Sequence, residues 1–129
     1  MNLVDSSGWL EYLSDGPNAS SFETALTNPE NLIVPTLCLY EVFKVVLRQR
    51  GETDALQAAA LMSQGNIIEL TSEIALQAAR ISLDHKLPMA DSLILATARA
   101  YRATLWTQDE HFEGMEGVKY VEKVFGGRA

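Results

Sequence analysis

Four acidic residues stand where an acid is hard to explain as an ordinary solvated group: Asp5, Glu41, Asp91 and Asp109. Asp5 directly follows the apolar run Leu3-Val4, and Asp109 comes just after Leu105-Trp106-Thr107. Glu41 interrupts the stretch 37–47, which is otherwise apolar except for Lys44. A helix that is apolar nearly all round is expected to be largely buried, and an unpaired carboxylate there is costly. Asp91 opens a segment in which Ser92 to Ala98 carry no charge. Each acid also has a simpler reading. Asp5 could cap a helix, Glu41 could pair with Lys44 one turn on, Asp91 could face a helix dipole, and Asp109 could close an Asx turn. Glu11, Glu23, Glu30, Glu52, Asp54, Glu73, Glu113 and Glu116 lie among polar neighbours and read as solvated or capping groups.

Four carboxylates in one pocket would repel one another, which raises pKa values unless something compensates. A hard divalent cation with oxygen ligands is the simplest compensation, and Mg²⁺ or Mn²⁺ suits carboxylate and water. Such an ion can activate a water and steady charge on a cleaved phosphodiester. The sequence offers no Cys and His set for structural zinc.

The elements that must position these acids follow from apolar runs, caps and breakers. Strands are expected at 2–4, 32–34, 67–70, 104–107 and 118–121. Helices are expected at about 6–13, 19–26, 36–50, 54–63, 72–85 and 89–102, with Gly51, Gly65 and Pro88 among the breakers. This alternation predicts a single α/β domain with a central, mostly parallel sheet of about five short strands flanked by helices. The domain is expected over 1–125, with 126–129 as a short mobile tail. In such a sheet, sites form beyond the carboxyl ends of the strands. Asp5 and Asp109 each fall just past such an end, and the helices bearing Glu41 and Asp91 begin on the same edge, so all four should converge.

Composition narrows the setting. The 129 residues suit one domain, and the net charge of −7 argues against a protein that coats nucleic acid, since phosphate affinity comes from Lys and Arg. It does not exclude an enzyme acting on nucleic acid, because a bound cation restores part of the charge. The single cysteine, Cys38, sits in an apolar run and reads as a buried hydrophobe in a reducing compartment. No stretch approaches the ~20 apolar residues of a membrane span, and the first residues lack the pattern of a signal peptide. A soluble, cytoplasmic protein is expected.

The order and spacing of four segments are similar to a known family. These are Leu3-Val4-Asp5-Ser6-Ser7, then Pro35-Thr36 followed by Glu41, then Leu87-Pro88-Met89-Ala90-Asp91-Ser92-Leu93-Ile94, and finally Leu105-Trp106-Thr107-Gln108-Asp109-Glu110-His111-Phe112. Together they span essentially the whole chain, and the chain resembles PIN domains, in particular the VapC-type toxins of toxin–antitoxin pairs. The resemblance implies a Mg²⁺- or Mn²⁺-dependent endoribonuclease, with transfer RNA as one family-level substrate. It matches Asp5, Glu41, Asp91 and Asp109 to the acidic quartet, and Ser6 or Ser7 and Thr107 to supporting hydroxyls. It further implies a homodimer and a cognate antitoxin whose tail covers the site with an arginine, which can bind carboxylates bidentately.

Other residues have two readings. His111 could be a general base but is expected as an exposed loop residue, and His85 should complement a helix end. Lys44, Arg48, Arg50, Arg99 and Arg102 could guide RNA or simply be solvated. Trp9, Tyr12, Phe22, Phe43, Val46 and Leu47 could line a groove for an antitoxin helix, although most should be core. An alternative function is a non-catalytic PIN-like interaction module that binds a basic partner through the same acids.

Overall fold

A computed structural model of the chain describes residues 1–124. The tail expected at 126–129 lies outside the described residues. Elements are numbered in chain order. Strand β1 (Asn2–Val4) lies between β2 (Leu32–Pro35) and β4 (Thr104–Thr107), with β3 (Asn66–Ile68) beyond β2 and β5 (Val118–Tyr120) beyond β4. Every neighbouring pair is parallel.

Parallel strands need covered faces, and these have them. Consecutive residues along the inner strands point to opposite sides, yet Leu3, Val4, Leu32, Ile33, Val34 and Leu105 are all buried. The covering layers are α1 (Ser6–Leu13), α2 (Ala19–Leu26), α3 (Thr36–Arg50), α4 (Glu52–Met62), α5 (Ser72–His85) and α6 (Met89–Ala100). Trp9, Phe22, Met62, Leu95 and Phe112 complete the core.

The chain order creates a crevice. From β1 the chain passes through α1 and α2 to β2 on one side; from β3 it passes through α5 and α6 to β4 on the other side. The carboxyl ends of β1 and β4 are thus the switch point of the sheet, where ligands of open α/β folds bind. Register brings these ends level: Val4 pairs with Trp106, and the Asp5 amide donates to the Trp106 carbonyl at 3.1 Å.

Several expected boundaries move by one or two residues, among them those of α4, which spans Glu52–Met62, and of β5, which ends at Tyr120. The third strand begins earlier and ends at Ile68, because the Asn66 side chain anchors its start by donating to the Leu32 carbonyl at 3.0 Å. The helix expected to reach 102 ends at Ala100, and Arg102, at φ 54, turns the chain into β4.

Candidate metal centre

Asp5 is fixed by the fold itself. It leaves β1 in extended conformation and caps α1, its Oδ1 accepting from the Gly8 amide at 3.1 Å and from Ser7 Oγ at 2.7 Å. Its Oδ2 accepts from Thr107 Oγ1 at 2.7 Å. The helix-cap reading is therefore correct, and it coexists with a place at the crevice. Asp5 is only 3% exposed, and burial pushes its pKa up to about 6, opposed by the Ser7, Thr107 and Gly8 donors and reinforced by Asp109.

The same hydroxyls tie Asp5 to the loop that carries Asp109. Thr107 Oγ1 accepts from the Asp109 amide at 2.9 Å, and Ser7 Oγ accepts from the Gln108 amide at 3.2 Å. Each hydroxyl thus donates to Asp5 and accepts from the backbone after β4, which satisfies both functions. Gln108 is held in turn by Glu11 at 3.2 Å and by Asn18 at 3.0 Å. Glu11 is therefore no solvated bystander: it is half-buried, and its carboxylate also accepts from the Asn18 amide at 2.6 Å.

Asp91 and Asp109 face each other across the crevice, one from the first turn of α6 and the other from the end of β4. Asp109 caps a short 3-10 turn, Glu110–Phe112, by accepting from the His111 amide at 2.9 Å. The His111 ring folds back over both acids: its Nδ1 lies 2.9 Å from Asp109 Oδ1 and 3.0 Å from Asp91 Oδ2. Burial pushes the Asp91 pKa up to about 6, Asp109 and Asp5 add to the rise, and His111 opposes it.

A family model for the PIN domain matches residues 3–118. The chain belongs to the PIN domain family. No curated protein sequence matches it significantly. Among solved structures, a toxin–antitoxin complex from Klebsiella pneumoniae has a chain 24% identical with TM-score 0.81, covering 96% of this chain and 100% of its own. VapC20 from Mycobacterium tuberculosis, described as a sarcin–ricin loop cleaving toxin, is 19% identical with TM-score 0.70, covering 89% of this chain and 92% of its own. VapBC2 from Rickettsia felis, bound to a DNA fragment from its promoter, is 18% identical with TM-score 0.71, covering 92% and 97%.

Glu41 differs from its expectation in this PIN domain. Helix α3 is not buried all round: Cys38, Val42 and Val46 form its core stripe, while Tyr40 is 60% and Leu47 42% exposed. Glu41 lies beside that stripe, half-buried, and its Oε1 accepts from Ser6 Oγ. Its cost is met by a hydroxyl partner, not by Lys44, whose ammonium sits 5.5 Å from the Tyr40 ring centroid. The wholly buried Cys38 thiol is raised by burial first and then by Asp5 and Glu41, so both acids lie near it.

The four acids therefore do not form one equal cluster. Among the described residues, Asp91, Asp109 and His111 offer ligand atoms that all lie within 4.8 Å of one another. Asp5 stands close enough to raise the pKa of Asp91, with its oxygens held by protein donors, and Glu41 joins through Ser6. This donor set, carboxylate oxygens with one imidazole nitrogen and no balancing Lys or Arg in the described ion pairs, fits a divalent cation. His111, weighed in the sequence as a general base and expected as an exposed loop residue, is exposed and lies with these acids; the signal for that was its position two residues after Asp109, inside the turn that Asp109 caps. Lys44, Arg48, Arg50, Arg99 and Arg102, for which RNA guidance and simple solvation were both open, are all exposed, and Arg50 lies 4.0 Å from Asp54. Beside the centre runs an open groove of about 610 Å³ lined by acids Asp109, Glu110, Glu113 and Glu122 together with Tyr120 and Lys123. Of the aromatic residues considered for a partner groove, Trp9 and Phe22 are core. No helix of the described residues is long and apolar enough to cross a membrane.

Proposed function

We propose that this PIN domain is a Mg²⁺- or Mn²⁺-dependent endoribonuclease and acts in the cytoplasm as the toxin of a toxin–antitoxin pair. The observation that carries the reading is the meeting of Asp91, Asp109 and His111 at the sheet's switch point, near enough to the buried Asp5 for its charge to raise the Asp91 pKa. The relatives support it: three solved structures of this fold are a toxin–antitoxin complex, a toxin that cleaves the sarcin–ricin loop, and a VapBC complex.

Asp91 and Asp109 would hold the ion, with Asp5 behind them. When bound, the ion supplies a water of lowered pKa and neutralises charge building on the phosphodiester. Ser7 and Thr107 keep Asp5 ionisable and aimed, and Thr107 sets the backbone of Asp109. Glu41 holds Ser6 with one oxygen, which leaves its other oxygen to orient the attacking water or take its proton. An RNA strand reaches the acids only with cations between, since the groove beside them is itself acidic. A basic antitoxin tail suits the same groove, an arginine replacing the ion's charge among the carboxylates. The active unit is proposed to be a homodimer, and transfer RNA is a candidate substrate.

The test is incubation of purified protein with cellular RNA in Mg²⁺, Mn²⁺ or chelator, with cleavage ends mapped by sequencing. Discrete cuts that need the ion and vanish in Asp109→Asn are expected. Cuts that survive both chelator and Asp109→Asn would refute the reading. Binding of Mn²⁺ and of a basic partner without any cleavage would favour the non-catalytic interaction module instead.

A further inference from the structure

We propose that His111 is itself a metal ligand, giving this centre an imidazole nitrogen beside its carboxylates and a preference for Mn²⁺ over Mg²⁺. The inference rests on reading the acids as a divalent-metal centre. Its observation is a separation. In an octahedral site with bonds of about 2.1 Å, neighbouring ligands stand about 3.0 Å apart, because they meet at right angles. His111 Nδ1 stands 2.9 Å from Asp109 Oδ1 and 3.0 Å from Asp91 Oδ2. One nitrogen thus holds the spacing of adjacent ligands toward two carboxylates at once.

Packing does not impose this position. The His111 side chain is 55% exposed, so the ring is held over the acids by what its nitrogen meets, not by a wall of neighbours. The backbone prepares it: the His111 amide donates to Asp109 Oδ1 at 2.9 Å, which locks the turn and sets the ring on the crevice side. Before an ion enters, the ring bridges the two acids as a hydrogen-bonding group. With an ion between them, that nitrogen would give up its proton to solvent, the ring keeping or taking its proton at Nε2, and donate its lone pair to the ion. Mn²⁺ also favours oxygen ligands, but as a transition ion it accepts an imidazole nitrogen more readily than Mg²⁺, which demands oxygen and retains its waters. A site with one such nitrogen therefore discriminates between the two cations more than a purely carboxylate site does.

The experiment is pulsed electron paramagnetic resonance on Mn²⁺ bound to the full chain, read for coupling to a directly bonded ¹⁴N. Coupling is expected in the wild type and in His85→Ala, the only other histidine. It should vanish in His111→Ala and His111→Asp. Titration should show Mn²⁺ affinity falling about tenfold or more in His111→Ala, with His111→Asp recovering affinity for Mg²⁺ and narrowing the Mn²⁺ preference. Bound Mn²⁺ without nitrogen coupling, coupling that persists in His111→Ala, or no Mn²⁺ binding would overturn the assignment. Cleavage is scored separately: cleavage without nitrogen coupling removes the ligand and leaves the nuclease, and coupling without cleavage does the reverse.

Discussion

The two halves of the candidate centre treat the same residue type in opposite ways. Asp5 is 3% exposed, and both its oxygens are held by donors that the chain supplies: an amide and two hydroxyls. Asp91 and Asp109 have side chains 15% and 27% exposed, and they face each other and a more exposed histidine. The inner carboxylate is fixed by folding, since it caps a helix and joins β1 to β4. The outer pair is adaptable, and a cation has room to replace the contacts now made by His111. Folding and chemistry are therefore entangled at Asp5 and separable at Asp91.

Substitution should expose that difference, and the largest effect is on rate. Asp91→Asn alters a proposed ligand without touching a cap or a core contact. Partners that merely orient ligands are worth about 10- to 100-fold, so cleavage should fall by about 100-fold or more. The melting temperature should hold or rise, because a raised pKa marks a charge the fold bears at a cost. A large drop in melting temperature would break the comparison. Asp5→Ala should lose cleavage too, but also ~1–3 kcal/mol of stability, through the lost cap and the unpartnered Thr107 hydroxyl. Urea unfolding measures it. Asp5→Asn sharpens the case: its amide can serve Gly8 and Ser7 with oxygen and Thr107 with nitrogen, so stability should return while cleavage does not.

Thr107→Val comes next. It deletes the donor to Asp5 Oδ2 and the acceptor for the Asp109 amide while keeping the shape of a wholly buried residue. Cleavage should fall about 10- to 100-fold and stability by ~1 kcal/mol, measured on the same preparation. A rate unchanged within twofold would show that the hydroxyl belongs to the fold alone.

How far the sequence could be read follows the same division. The strands, the caps and the shared sheet edge were legible because apolar runs and capping residues are local signals, and Asp5, Asp91 and Asp109 lie next to them. Alternation predicted a mostly parallel sheet, and every neighbouring pair of the folded sheet is parallel. What escaped was set by contacts across the chain. Glu41 looked buried and unpaired because an apolar stretch hides which stripe faces the core; its partner, Ser6, is 35 residues away. Glu11 looked solvated because its partners Asn18 and Gln108 meet it only after folding. His111 was expected in an exposed loop, and it is exposed, but exposure says nothing of what a ring folds back to touch.

The smallest expected effect is in pH, and it tests the inner half alone. The Asp5 carboxyl goes from an ordinary 3.8 to about 6 in the folded chain. Between those values the folded protein holds a proton that the unfolded chain has released. The stability this group contributes is thus complete below 3.8 and lost as pH rises through about 6. Without metal, Asp5→Asn should therefore gain on the wild type as pH rises, with about a third of the change in melting temperature developed at about pH 4.5 and nearly all of it, several degrees, at about pH 7. A divalent ion should narrow the gap between the two proteins, stabilising the wild type more at pH 7 than at pH 4.5, because it offsets the charge that burial penalises. Thermal melts in chelator and in Mn²⁺ at both values check both effects. A gap between wild type and Asp5→Asn that stays constant with pH would mean that the buried charge costs the fold nothing, and that the contrast between the two halves is one of geometry only.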